Sequence, residues 1–306
     1  MKYLVVGSGG TGGALGAYLA RAGRDVTLIA RGEKLKAMKE RGLRIIRLED
    51  EFTVNPIKCC AMDDYQETPD VILLCVKGYS VDSTIPFIRR VAGPSTVVIP
   101  ILNIYGTGGR MQKDLPGVLI TDGCIYIASE LKEPGVILMS GPQMRIVFGV
   151  REKSEYRPAL ADISRDLKEC GISADLSDDI RRDALVKFSY VSPQGACGII
   201  YGIPIGPMQQ EGPERECFKE LVREVEAIGS AQGIAFQEDL VARNLGILDS
   251  LKPSMTTSMQ KDIAAGRQSE AGGQIFEVAR LGHELGVPVP MYEKAVAALE
   301  AKGIRP

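Results

Sequence analysis

The hexapeptide Gly7-Ser8-Gly9-Gly10-Thr11-Gly12 stands between an apolar run over residues 3–6 and a helix-like stretch over 14–22 that stops at Gly23. As a bare match to G-x-G-x-x-G it would mean little in a chain with 34 glycines. Its setting gives it weight, because it joins a strand to a helix at the N-terminus, where the first βαβ unit of a doubly wound sheet belongs. In that setting Gly7 permits the tight turn, Gly9 lets the backbone approach a pyrophosphate and Gly12 lets the helix pack close to the strand. The helix N-terminus then offers unpaired N–H groups and a partial positive charge to phosphates. A bound dinucleotide is expected on residues 7–12.

The rest of the first half supports a parallel sheet. Residues 26–30, 71–76 and 96–102 are continuous apolar runs rather than alternating ones, as suits strands covered on both faces. Two stretches interrupt the strand–helix alternation: a hairpin is expected over 43–54, and several short strands over 118–149, separated at Glu133-Pro134-Gly135 and Ser140-Gly141-Pro142. Antiparallel additions at one end of the sheet are expected from them. A helix over 157–170 and a short strand over 172–176 follow. Beyond them β-branched runs become rare, and the chain reads as helices broken at 201–207 and Gly212-Pro213. The fold expected is α/β, with a Rossmann-type dinucleotide-binding domain over 1–176 and an all-helical domain over 177–306.

Composition narrows the function. Lys plus Arg number 37 against 39 Asp plus Glu, a formal charge of −2, which speaks against a nucleic-acid partner. The seven cysteines form no C-x-x-C pair, so neither a metal site nor a disulfide framework is expected. No apolar run approaches the ~20 residues of a membrane span, and a cytoplasmic protein is expected.

The second strand bears on the cofactor. Enzymes that use NAD place Asp or Glu there, about 20 residues past the fingerprint, to hold the ribose hydroxyls. Here the run 26–30 ends in Arg31, and the first carboxylate after it is Glu33. A guanidinium at that point suits a 2′-phosphate, so NADP(H) is expected.

Further motifs occur in order along the chain: Lys77 in ILLCVKGYS, Asn103 in PILN, Lys187 in RRDALVKF, and the C-terminal run TSMQKDIAAGRQSE followed by GVPVP. With the N-terminal GSGGTGG and Arg31 they make the chain similar to the ketopantoate (2-dehydropantoate) reductase family over nearly its whole length. The run holding Ser258, Met259, Asp262, Gly266, Arg267 and Glu270 is the most specific part. The resemblance implies NADPH-dependent reduction of a small 2-oxo acid, with 2-dehydropantoate reduced to pantoate in pantothenate and coenzyme A biosynthesis. It implies Lys187 as the general acid. Asn103 would position nicotinamide and substrate, and Ser258 would bind the substrate carboxylate. Glu270 would accept from substrate hydroxyl or cofactor ribose, and Lys77 would lie with Arg31 near the 2′-phosphate. An ammonium suits the chemistry, since hydride addition builds negative charge on the ketone oxygen. The only histidine, His283, lies in a helical stretch and is expected on its surface.

Val191 and Gly195 stand where members of the family often carry Asn, and Ile275-Phe276 where many carry Asn-Gly. These departures leave the identity of the oxo acid open, with Tyr190, Ser192 or Gln194 as candidates to replace the missing amides. A reductase of another 2-oxo acid or ketone, and a non-catalytic NADP-binding sensor, are the alternatives. A homodimer is left open.

Overall fold

A computed structural model describes the whole chain, Met1–Pro306, as two compact units. The first comprises Met1–Leu102 and Gly106–Ile180, the second Asn103–Tyr105 and Arg181–Pro306. No helix is long and apolar enough to cross a membrane.

In the first unit, β1 (Lys2–Val6), α1 (Gly10–Arg21), β2 (Asp25–Ile29) and α2 (Gly32–Arg41) are followed by β3 (Leu43–Ile46), β4 (Glu51–Val54) and β5 (Cys59–Cys60). Then come β6 (Val71–Leu74), α3 (Val81–Val91), β7 (Val97–Pro100), α4 (Thr107–Asp114) and β8 (Leu119–Ile120). β9 (Asp122–Glu133), β10 (Val136–Gly149), α5 (Ala159–Glu169) and β11 (Ser173–Leu176) complete it. Six strands form a parallel sheet in the order β5-β2-β1-β6-β7-β8. The continuous apolar runs have a direct cause in β1: Tyr3 and Val5 enter one apolar core, Leu4 and Val6 another.

The additions are larger than expected. They form a second sheet, ordered β11-β10-β3-β4 with β9 on β10, rather than an extension of the first. Residues 122–149 are two long antiparallel strands that turn only at Glu133-Pro134-Gly135. Ser140-Gly141-Pro142 does not separate strands. Pro142 lacks the N–H a ladder needs, and β10 absorbs this as a register shift between Met139 and Met144 while pairing continues on both sides. The hairpin over 43–54 forms as β3 and β4.

α1 begins at Gly10, four residues earlier than the apolar pattern places it. Its glycines serve close approach rather than breakage: a Cβ on Gly13 would lie 2.8 Å from the Ile137 side chain of β10, and one on Gly16 2.6 Å from Leu28 of β2.

The second unit is helical: α6 (Ile180–Tyr201), α7 (Pro213–Ala231), α8 (Leu240–Ser250), α9 (Ser258–Ala264), a π-helical turn at Gly272–Phe276, α10 (Glu277–Leu285) and α11 (Pro290–Glu300). α6 is central and buried, and it continues through Pro193. Proline cannot donate to the carbonyl four residues back, that of Ser189. Asn244 of α8 replaces the lost bond, donating from Nδ2 to Ser189 O and Oγ at 2.9 Å each. Glu224 of α7 caps α11, accepting from the Met291 and Tyr292 N–H groups at 2.7 and 3.0 Å.

Candidate active site

The glycine turn closes at the end of β1. Gly7 has φ +103°, and a Cβ there would lie 2.9 Å from the Cys75 carbonyl and the Val76 nitrogen. Only glycine fits such a place. A Cβ on Gly12 would stand 2.0 Å from Gly7 O, so the helix start seats directly on the turn. Gly9 is different, with nothing within 4 Å of where its Cβ would be. It is also the N-cap of α1, and no side chain caps the helix. An open backbone surface at an uncapped helix N-terminus is what a pyrophosphate requires, and the turn fits a dinucleotide. Ser8 is buried, and Gly10 and Thr11 open α1.

Two cations stand on either side of this turn. Arg31, exposed, is the N-cap of α2 just past β2. Lys77 follows β6 as the N-cap of the short helix Gly78–Ser80. Because the strand order is β2-β1-β6, the two flank β1 from opposite sides. Sequence reasoning missed Lys34, three residues after Arg31 in the first turn of α2. Burial, and secondarily the Arg31 guanidinium, hold Lys34 below the usual lysine range. Its spacing from Arg31 was the available signal.

The helical unit gathers the other residues around α6. Lys187 is buried, and its Nζ donates to Asn103 Oδ1. Asn103 comes from the short segment between β7 and α4 that belongs to this unit, and its neighbours fix it there. Ile104 fills the space beside Gly273, 2.5 Å from where a Cβ would stand. The Tyr105 ring packs on Phe188 at 6.2 Å, and its hydroxyl donates to Gln232 Oε1 at 3.1 Å.

Glu270 is buried just before the π-helical turn, and its carbonyl accepts from Gln274 N at 3.0 Å. That turn is held to α6 by Ser192, whose Oγ donates to Gln274 O at 2.5 Å and meets Tyr292 Oη at 2.5 Å. Ser258 opens α9 and is exposed. The cap is Thr257, whose Oγ1 accepts from Gln260 N, so the Ser258 hydroxyl is not used in capping. The adjacent Met259 Cε packs against α6, 2.7 Å from where a Gly195 Cβ would stand. Lys187 and Asn103 are thus directly bonded, and the neighbours of Glu270 and Ser258 pack on α6. His283 is exposed and meets Glu293 at 2.8 Å, as its surface position implies.

Residues 3–153 match the family model described as ketopantoate reductase PanE/ApbA, and residues 179–303 match its C-terminal counterpart. The chain is 26% identical to the uncharacterized oxidoreductase YkpB of Bacillus subtilis, covering 98% of both chains. It is 27% identical to a 2-dehydropantoate 2-reductase of Mesorhizobium japonicum, covering 97% of this chain and 96% of the relative. The crystal structure of 2-dehydropantoate 2-reductase from Geobacter metallireducens shares the fold, with TM-score 0.89 at 22% identity over 98% of this chain and 99% of that one. The two family models cover most of the chain between them, and the protein therefore belongs to the ketopantoate reductase family, whose members are oxidoreductases acting on CH–OH groups.

Proposed function

We propose that this protein reduces a small 2-oxo acid with NADPH, and that 2-dehydropantoate, reduced to pantoate in pantothenate and coenzyme A biosynthesis, is the substrate. The observation that carries the reading is the buried Lys187 ammonium held on Asn103 in a chain that also has an open glycine turn. Residues 1–176 serve as the NADP-binding domain and 177–306 as the substrate domain. NADPH bound on the turn would supply the hydride. Arg31 and Lys34, with Lys77, meet the 2′-phosphate. Lys187 holds the proton that the ketone oxygen takes, Asn103 orients the lysine, and Ser258 receives the substrate carboxylate. Glu270 accepts from the cofactor ribose or the substrate.

NADPH consumption measured across a panel of 2-oxo acids that includes 2-dehydropantoate tests the reading. Turnover of 2-dehydropantoate above its congeners is expected. NADPH binding without oxidation by any member would make the chain a sensor instead.

A further inference from the structure

Three polar side chains on α6 follow Lys187 closely enough to meet a substrate held by it: Tyr190, Ser192 and Gln194. The structure separates them. Ser192 is committed, with Oγ donating to Gln274 O and bonded to Tyr292 Oη. Tyr190 packs its ring edge-on against Phe218 at 6.2 Å, and its hydroxyl, though itself without a hydrogen-bond partner, is sealed from solvent and so closed to a ligand entering from it. Gln194 is only 7% exposed, yet its carboxamide makes no hydrogen bond within the protein and is not sealed off from solvent. A nearly buried amide left without a partner is costly and calls for a ligand or water.

Its position suits a substrate. At 3.6 residues per turn, a residue seven positions on returns to within about 20° of the same helix face, roughly 10 Å along the axis. Helical side chains lean toward the N-terminus, so Gln194 leans back toward the turn that carries Lys187. Between them on this face lies Val191, partly exposed and outside the apolar cluster that fills the unit. The face therefore runs from an ammonium, over a hydrocarbon floor, to a carboxamide.

We propose that Gln194 is a substrate-binding residue that reads a hydroxyl on the carbon chain of the 2-oxo acid. A carboxamide both donates and accepts, which a hydroxyl matches in both directions, whereas a carboxylate would set its charge against Oε1. Val191 packs on the carbons between ketone and hydroxyl, and Glu270 is left to the ribose. This inference rests on the reductase reading above.

The test compares 2-dehydropantoate with 3,3-dimethyl-2-oxobutanoate, the same skeleton without the hydroxyl, in the wild type and in Gln194→Leu and Gln194→Met. Loss of the amide should lower kcat/KM for the hydroxylated acid about 10- to 100-fold. The hydroxyl-free acid should change less than about threefold, which also shows that the variants fold. Equal losses on both acids, or no loss on either, would overturn the role of Gln194 while leaving the reductase reading intact. If the wild type reduces neither acid, it is the reductase reading that fails.

Discussion

Lys187 donates from Nζ to the side-chain oxygen of Asn103, 84 residues away in sequence. The segment that carries the asparagine is pinned by Ile104 beside Gly273 and by Tyr105 on Phe188 and Gln232. General acid catalysis contributes about 10²–10⁴-fold, so Lys187→Ala should lower kcat by that factor with NADPH affinity nearly intact. Lys187→Arg should rescue little, since guanidinium keeps its proton at neutral pH. Near-normal kcat in Lys187→Ala would remove the residue from the mechanism.

Arg31 and Lys34 should decide between cofactors. Charge-assisted hydrogen bonds contribute about 1.5–3 kcal/mol, so Arg31→Ala should weaken NADPH binding ~10- to 100-fold and leave NADH almost unchanged. Lys34 adds a pH signature. Burial and Arg31 depress it in the free protein, and a bound phosphate would favour its charged form. Binding then takes up a proton, so NADPH affinity should fall as pH rises through the depressed Lys34 value, and NADH affinity should not. Fluorescence titrations at several pH values check both, and parallel pH profiles for the two cofactors would exclude Lys34 from the phosphate site.

Two glycines of one turn should fail in opposite ways. Gly9→Ala meets open space, so thermal stability should hold while NADPH affinity drops sharply. Gly12→Ala places a methyl against Gly7 O and should lower the melting temperature whether or not cofactor is present. Calorimetry with and without NADPH separates the two.

Asn244→Ala leaves the Ser189 carbonyl, already deprived of its helical partner by Pro193, buried without a donor. The cost should be about 1–3 kcal/mol, read as a lower denaturant midpoint. Restoring the helical donor with Pro193→Ala in the same chain should recover part of it. An additive double variant would show that the two are not coupled.

The parallel strands, the helical second half and the glycine turn were legible because each writes a local pattern: apolar runs covered on both faces, helical spacing, a strand–turn–helix junction. The second sheet was not, since β10 pairs with β3 along one half and β11 along the other, and no local pattern names a distant partner. Ser140-Gly141-Pro142 misled for a related reason, as a proline that breaks an isolated strand is tolerated where the ladder holds on both sides. Within the site, Lys187 and Glu270 were found by resemblance and not by pattern. Gln194 could be named only as one of three candidates, because no local pattern shows that Ser192 is bonded to Gln274 and Tyr292 or that the Tyr190 hydroxyl is sealed away from solvent.

The excursion Asn103–Tyr105 has a consequence for inheritance. The helical unit carries Lys187, but the oxygen that holds the lysine is encoded between β7 and α4, inside the reading frame of the other unit. A recombination event that joined the second half of this gene to a foreign first half would import the acid without its anchor, and Phe188 without Tyr105 beside it. The two units do not divide cleanly along the gene, and selection on the acid acts on both sides of any crossover between them.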